Sequence, residues 1–334
     1  MRIRPSLRLV LLGLLALVFA VGAAGCGRDD EESGSTNAAA TGTDSSEELS
    51  GSVEIDGSST VGPLTTAAAE GFREEQPGVN VTVGIAGTGG GFERFCAGET
   101  DISNASRPIK DDEEVPLCAD AGIEYTEIKV ATDALTVVVN PENDWIDCIT
   151  TEQLAAIWAP DSTITNWKDV PGGDYPDQKL VLAGPGTDSG TFDYFTDAIN
   201  GEEGASRSDY TASEDDNVTV QAVEGDKGAM GYFGFTYYEE NQDQLKALEV
   251  DSGDGCVAPS AETAQDGSYA PLSRPLFIYV KNESLTRPEV VGFLRYYMEN
   301  LATVAQTAKF IELTPEEEQE ADDTLEQAIG AAKR

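Results

Sequence analysis

The sequence predicts an α/β fold large enough for two domains, and its length, its composition and its order of elements each point that way. The chain has 334 residues, of which 40% are hydrophobic and 25% charged, as is typical of a globular protein. Short β-rich runs alternate with helical patterns along the chain, which is the order of an α/β fold. No repeat of about 20 to 50 residues is visible, so a solenoid is not expected.

The alternation begins with a predicted strand at 53–55, which a helix at about 63–75 follows. A second strand at 79–85 precedes a helix near Phe92. Further strands are predicted at 123–130, 135–139, 180–183 and 277–280. Further helices are predicted at 151–158, 189–199, 288–300 and 315–329.

The first 25 residues have the pattern of an export signal. Arg2, Arg4 and Arg8 precede an apolar run at 9–21, and small residues follow it. That run is shorter than the roughly 20 residues that span a bilayer, and no later stretch is as apolar. The segment 1–25 is therefore predicted to be a signal peptide.

Cys26 stands where the cleavage site is expected, after Ala23-Ala24-Gly25. The segment resembles a bacterial lipoprotein signal, in which Cys26 would become the acylated N-terminus, although Ala23 stands where leucine is usual. The alternative is an ordinary secretory signal with a chance cysteine. Residues 26–50 are acidic and rich in Ser, Thr and Gly, and they predict a flexible tether. The expected location is the outer face of the cell membrane, or the periplasm, with anchoring through Cys26.

The charge is strongly acidic, because 61 Asp and Glu residues face 21 Lys and Arg residues, giving a net charge of −40. Such a chain is not expected to bind nucleic acid. An anion site on it would have to use local dipoles and hydrogen bonds. The chain has no histidine and no close CxxC pair, so neither a metal site nor a cofactor is predicted.

Four turns rich in Gly, Ser and Thr carry the candidate chemistry. They lie at 56–63, 86–91, 101–107 and 184–191, and three of them stand between a predicted strand and a predicted helix. Backbone N–H groups and hydroxyls at such turns face a ligand at the start of a helix. Together the four turns predict one convergent anion site.

From residue 53 onward the chain resembles the phosphate-binding proteins of high-affinity phosphate ABC transporters. The motifs that carry the resemblance are Gly-Ser-Ser-Thr-Val at 57–61, Asn-Ala-Ser-Arg-Pro-Ile at 104–109, Gly-Thr-Asp-Ser-Gly-Thr-Phe-Asp-Tyr-Phe at 186–195 and Ser-Arg-Pro-Leu-Phe-Ile-Tyr-Val at 273–280. The resemblance implies a monomeric, non-enzymatic solute-binding protein. It would capture inorganic phosphate outside the cell and deliver it to the permease subunits of an ABC transporter.

The resemblance also implies the two-lobed type II periplasmic-binding-protein fold, with the ligand in the cleft between the lobes. The first lobe would take residues 51–137 and 277–334, and the second lobe residues 138–276. The two chain crossings would lie near 137–140 and 272–277.

Carried over to this chain, the family pattern implies a set of phosphate-binding residues. Hydroxyl and backbone donors of the first lobe would be Ser59, Thr60 and Thr88. The helix start of the second lobe would be Ser189, Gly190 and Thr191.

The chain departs from the family pattern at two points. Pro185 stands where the pattern has an arginine, and Ser106-Arg107 stands where it often has an aspartate. We infer that Arg107 supplies the guanidinium from the opposite lobe and that Ser106 replaces the acidic side chain. The alternative is that Arg107 is a surface arginine before a proline.

Asp188 is the candidate acceptor for the proton that phosphate carries and sulfate lacks. Two other roles stay open from the sequence. Asp188 could cap the helix that follows it, or it could pair with Arg107.

Four cysteines remain when Cys26 is set aside, and four cysteines allow three disulfide pairings. We favour Cys96 with Cys118, which are neighbours in sequence, and Cys148 with Cys256, which bracket the second lobe. Four unpaired buried thiols are the alternative.

Rival functions remain. The same architecture could hold sulfate, molybdate or another tetrahedral oxyanion. A hydrolase with a Ser-His-Asp triad is excluded because the chain has no histidine. A Ser-Lys hydrolase would need a buried lysine, and Lys110 is the one near these motifs. An interaction protein with an acidic surface would leave the four turns unexplained.

Overall fold

The computed structural model describes residues 48–334. The predicted signal peptide, Cys26 and the tether up to residue 47 lie outside the described residues. The last tether residues belong to the folded part, because Leu49 packs against the core and its N–H donates to Gln76 Oε1 at 2.9 Å. Among the described residues, no helix is both long enough and apolar enough to cross a membrane.

The strands follow one another in close alternation with helices. The strands are β1 (Gly51–Gly57), β2 (Val79–Val83), β3 (Ile102–Ala105), β4 (Tyr125–Val139), β5 (Cys148–Thr150), β6 (Val181–Gly184), β7 (Thr211–Ala212), β8 (Ala229–Gly234), β9 (Lys246–Ala247), β10 (Glu249–Asp251), β11 (Cys256–Val257) and β12 (Ser273–Lys281). The α-helices are α1 (Gly62–Glu75), α2 (Gly87–Cys96), α3 (Glu114–Asp120), α4 (Thr151–Trp158), α5 (Gly190–Phe195), α6 (Asp216–Glu224), α7 (Phe235–Asn241), α8 (Ala261–Gln265), α9 (Pro288–Glu299), α10 (Leu301–Thr307) and α11 (Pro315–Ala332). Two 3-10 helices, Trp167–Asp169 and Asn282–Thr286, and a π-helix, Thr196–Asn200, complete the set.

One large sheet runs through both lobes in the order β2-β1-β3-β12-β4-β8-β6-β7, with β9 on β4. In the first lobe β1 is parallel to β2 and β3, and β12 is antiparallel to β3 and β4. In the second lobe β6 is parallel to β8 and β7. A separate small sheet has the order β11-β10-β5.

The long strand β4 joins the two lobes. It pairs with β12 as far as Ala134 and with β8 from Leu135 onward. The prediction of two strands at 123–130 and 135–139 was therefore wrong. The Ala-Thr-Asp-Ala segment between them is polar in part, yet it stays in the strand because β12 pairs with it and buries it.

Each lobe has its own hydrophobic core. Residues of the first core come from positions 53–131 and 276–329, and those of the second core from 135–272. In the first core the rings of Phe72 and Phe293 meet edge to face at 5.7 Å between centroids. In the second core Phe195 stacks on Tyr232 at 3.8 Å. The chain crosses between these cores in β4 and again at the start of β12.

Two disulfides lie within residues 48–334, and both are the pairs favoured from the sequence. Cys96 at the end of α2 is bonded to Cys118 in α3, within the first lobe. Cys148 in β5 is bonded to Cys256 in β11, across the small sheet of the second lobe. The preferred pairing is thereby confirmed.

Several short elements had no clear sequence signal. Helices α3, α6 and α7 have only seven to nine residues, and the strand β8 is buried without alternation. The predicted helix at 189–199 is α5 continued by the π-helix. The predicted helix at 151–158 is confirmed as α4, which a capping box begins at Thr150.

Candidate anion-binding cleft

A cavity of about 460 Å³ lies between the two lobes. It is lined by residues of all four predicted turns, with Gly190 as the residue from 184–191, by further residues of the second lobe and by the start of β12. The polar and charged residues that line it are Ser58, Ser59, Thr60, Thr88, Ser106, Arg107, Asp193, Tyr194, Asp197, Glu203 and Arg274.

The turn between β1 and α1 is fixed by buried side chains. Ser58 Oγ accepts the N–H groups of Thr60 and Val61, at 3.2 and 3.4 Å. Asp56 is buried, and one of its oxygens accepts the N–H groups of Gly57 and Ala86, both at 2.8 Å. Asp56 therefore ties the first turn to the second and leaves the hydroxyls beyond it facing the cavity.

The second and third turns meet through two hydroxyl side chains. Thr88 Oγ1 lies 3.0 Å from Ser106 Oγ, and it accepts the N–H of Ser106 at 3.3 Å. Both residues line the cavity. The structure thus brings together Thr88 and Ser106, which are 18 residues apart in sequence.

The start of α5 approaches the first lobe very closely. A Cβ atom on Gly190 would lie 2.6 Å from Thr60 Oγ1 and 3.3 Å from Ser59 Oγ. Only glycine fits without a shift of those residues, so the two lobes meet at this point of the cleft. Ser189 caps α5 by accepting the N–H of Thr191 at 3.2 Å. Ser189 and Thr191 support the helix start, and Gly190 is the one of the three that lines the cavity.

Arg107 lines the cavity and is also paired within its own lobe. Its Nη2 and Nη1 atoms donate to the two oxygens of Glu114, at 2.7 and 2.8 Å. These hydrogen bonds raise the pKa of the Arg107 guanidinium. The predicted contact of Arg107 with an anion remains a prediction, with Glu114 as an additional partner that sequence reasoning missed.

Asp188 is exposed and is not among the cavity-lining residues. Its N–H donates to Glu214 Oε1 at 3.3 Å. Ser189 caps the helix instead, and within residues 48–334 the carboxylate of Asp188 forms no ion pair with Arg107. The structure therefore does not bring Asp188 into the cluster of predicted site residues.

Sequence reasoning missed Arg274, a second arginine of the cleft. Its Nε donates to Asp133 Oδ2 at 3.1 Å, and its Nη2 donates to Thr60 Oγ1 at 2.9 Å. Its guanidinium carbon lies 3.7 Å from the ring centroid of Tyr194. Burial raises the pKa of Asp133, and the charge of Arg274 opposes that effect. The available signal was the arginine in the motif at 273–280, three residues before the strand predicted at 277–280.

Three carboxylates line the second-lobe side of the cavity: Asp193, Asp197 and Glu203. Burial raises the pKa of Asp193, Glu203 adds to the rise, and Arg274 opposes it. The cleft therefore offers hydroxyl and N–H donors, two guanidinium groups and carboxylates that can accept a proton. This donor set suits a small oxyanion that carries a proton.

Two α/β lobes joined by β4 and β12, with such a cleft between them, define a binding protein of the periplasmic type. The model of the PBP superfamily domain matches residues 36–300. The SphX protein of Synechococcus elongatus is 49% identical over 264 residues, which are 78% of this chain and 77% of that protein. The phosphate-binding protein PstS of Staphylococcus saprophyticus is 40% identical, with 84% of this chain and 86% of that protein covered.

A solved structure agrees with these relatives. The crystal structure of a possible phosphate binding protein from Planctomyces limnophilus is 44% identical and superposes with a TM-score of 0.80. The match covers 84% of this chain and 99% of that chain. The chain belongs to the PBP superfamily and, within it, to the family of the PstS and SphX proteins.

Proposed function

We propose that this protein captures inorganic phosphate outside the cell membrane and delivers it to the permease subunits of an ABC transporter. The observation that carries the proposal is the convergence of Thr60, Thr88, Ser106, Arg107 and Arg274 on one cavity between the lobes. The PstS relative is named as a phosphate-binding protein, and the Planctomyces limnophilus structure is named as a possible one. The chain covers most of the length of both.

The proposed site binds phosphate through short-range contacts. Hydroxyls of Ser59, Thr60, Thr88 and Ser106 donate to phosphate oxygens, and Arg107 and Arg274 supply positive charge. Local hydrogen bonds of this kind act against the repulsion of a chain whose net charge is −40. Gly190 lets the second lobe approach these donors without a side chain in the way.

We further propose that the lobes move about the two crossings. The change of strand partner between Ala134 and Leu135 is the first hinge, and the entry into β12 near Ser273 is the second. The lobes would then divide a few residues before the boundaries expected from the sequence. Closure about these hinges would bury the ligand between the lobes.

For discrimination between phosphate and sulfate, we propose Asp193 as the acceptor in place of Asp188. Asp193 lines the cavity, whereas Asp188 is exposed. An ionised carboxylate accepts the proton that phosphate carries, and it repels an oxyanion that carries none.

No catalytic role is included in the proposal. Lys110, the base that a Ser-Lys hydrolase would need near these turns, pairs with Glu113 at 2.9 Å and is exposed. An exposed, paired lysine keeps its proton and is a poor general base. The PstS relative from Staphylococcus saprophyticus is named as a phosphate-binding protein.

The proposal includes an N-terminal lipid anchor at Cys26 and a monomeric state, both of which rest on the sequence. Mass spectrometry of the exported protein should find an acylated Cys26 as the first residue. Cleavage elsewhere, or an unmodified Cys26, would contradict the anchor. Light scattering at working concentration should give the mass of one chain.

Calorimetric titration of the mature protein tests the proposed ligand. We expect saturable binding of one phosphate per chain and much weaker binding of sulfate and molybdate. Equal affinity for sulfate would indicate a protein that binds tetrahedral oxyanions in general and not phosphate in particular. Absence of phosphate binding would overturn the proposed function.

A further inference from the structure

Glu114, the first residue of α3, is buried behind the cleft and faces Arg107. Its side chain is 9% exposed, and its two oxygens accept from the two Nη atoms of Arg107. The oxygen Oε2 also accepts the backbone N–H of Lys110 at 2.9 Å. The carboxylate is thus fixed to the loop on one side and to the guanidinium on the other.

The donors of Arg107 divide into a used edge and an open edge. A guanidinium has five N–H donors in one plane. Nη1 donates to Glu114 and to the carbonyl of Pro108, at 2.8 and 3.0 Å, and Nη2 donates once to Glu114. Within the described residues, the Nε–H and the second Nη2–H have no partner. These two donors share one edge, which fits two oxygens of a phosphate side by side.

Arg107 Nη2, which belongs to the open edge, lies near the wall of the cavity. Gly89 lines the cavity in the first turn of α2, and a Cβ atom on it would lie 4.0 Å from Arg107 Nη2. The ring centroid of Phe92 lies 5.8 Å from the guanidinium carbon and gives the plane a second support.

The support of Glu114 is rigid, because the Cys96–Cys118 disulfide ties α3 to the end of α2. The other end of α2 carries Thr88 and Gly89, which line the cavity. The same two helices therefore hold both the hydroxyl of Thr88 and the carboxylate that orients Arg107.

We propose that Glu114 is the positioning residue of the anion site, an inference that rests on the proposed binding of phosphate. It holds the Nη1/Nη2 edge of Arg107, so that the Nε/Nη2 edge meets the ligand already oriented. Arg107 is 34% exposed. Without Glu114 its long side chain would become ordered only when the ligand binds, and the entropy lost at that step would lower the affinity. A carboxylate near an anion also repels it, so the two effects oppose each other.

A double-mutant cycle on the mature protein separates these effects, with inorganic phosphate as the ligand and calorimetry as the readout. Glu114→Gln should weaken phosphate binding about 10-fold when Arg107 is present, which is about 1.4 kcal/mol. In an Arg107→Ala background the same change should not weaken binding, because no guanidinium is left for Glu114 to orient. Glu113→Gln is the matched control, since it removes the same charge at the adjacent residue, and this variant should bind phosphate like the parent.

Unchanged or tighter binding by Glu114→Gln would overturn the inference, and so would an equal loss in both backgrounds, which would reveal a general structural effect. If Glu114→Gln does not fold, Glu114→Asp keeps the charge with a shorter reach and should give the same pattern. A parent protein that binds no phosphate would overturn the proposed function as well. A parent that binds phosphate, with Glu114→Gln indistinguishable from it, would overturn the positioning role alone.

Discussion

The guanidinium of Arg274 stacks on the ring of Tyr194, with 3.7 Å between the guanidinium carbon and the ring centroid. Arg274 belongs to the crossing strand β12, and Tyr194 belongs to the second-lobe helix α5. The same guanidinium donates to Thr60 in the first lobe. One side chain therefore contacts Asp133 in β4, Thr60 in the first lobe and Tyr194 in the second lobe.

Arg274 and Arg107 should both contribute to phosphate affinity. Replacing either with alanine removes a charged donor at a partly buried site and should cost roughly 2 to 5 kcal/mol, or about 30- to several-thousand-fold in Kd. Lysine should rescue only in part, because it lacks the planar fork. Calorimetry with phosphate measures the loss, and Arg295→Ala, whose guanidinium pairs with Glu326 on the surface, is the control. Parent-like binding by Arg107→Ala would leave Arg274 as the main cation of the site.

Asp193→Asn should change selectivity more than affinity. If Asp193 accepts the phosphate proton, the neutral amide that replaces its carboxylate would no longer repel sulfate. Sulfate binding should then become measurable while phosphate binding weakens. Asp188→Asn is the matched control, because it makes the same chemical change at an exposed position outside the cavity. Competition titrations with phosphate and sulfate give the ratio of affinities. A gain of sulfate binding in Asp188→Asn alone would restore the role first predicted for Asp188.

Removing the Cys148–Cys256 disulfide should destabilise the protein by up to about 4 to 5 kcal/mol, because it joins residues 108 apart in sequence. The Cys96–Cys118 bond joins residues 22 apart and should be worth about 3 kcal/mol in the same chain-entropy estimate. Paired serine substitutions and denaturant unfolding compare the two. In the parent, two or more thiols that react after unfolding without reductant would contradict the pairing.

Asp216 should make stability depend on pH in a defined window. Burial, with Asp215 and Glu214 nearby, raises the pKa of Asp216 to about 6. In the unfolded chain the pKa of an aspartate is about 3.9. The folded state therefore prefers the protonated acid, and this contribution to stability is present below about pH 4 and is lost as the pH rises to about 6.

Asp216→Asn stays neutral at every pH, so it should stabilise the protein by up to roughly 3 kcal/mol at pH 7.5 and by nothing at pH 4 or below. Thermal unfolding of parent and variant at the two pH values measures the difference. Asp243→Asn, which removes an exposed charge in the same lobe, is the matched control. A destabilised Asp216→Asn at pH 7.5 would mean that the carboxylate is needed at the start of α6.

Local signals in the sequence determined much of this protein. The alternation of β-rich runs and helical patterns predicted α/β order, because side-chain periodicity is set by neighbours in the chain. The turns at 56–63 and 86–91 do face one cavity, since strand-to-helix turns on neighbouring parallel strands open at the same edge of a sheet. The even number of cysteines and their positions were enough to favour the pairing that the structure has.

Tertiary structure decided which charges meet in the cleft. Arg274 and Thr60 are 214 residues apart, and only the pairing of β12 beside β3 and β4 brings them within 2.9 Å. Helix α5 begins at Gly190, between Asp188 and Asp193. Asp193 lines the cavity because its place on the helix sets the direction of its side chain, whereas Asp188 precedes the helix and is exposed. Glu114 reaches Arg107 through a loop and a disulfide-tied helix that carried no recognisable pattern. Local periodicity specifies elements, whereas the partners of a charge depend on contacts between elements that are distant in sequence.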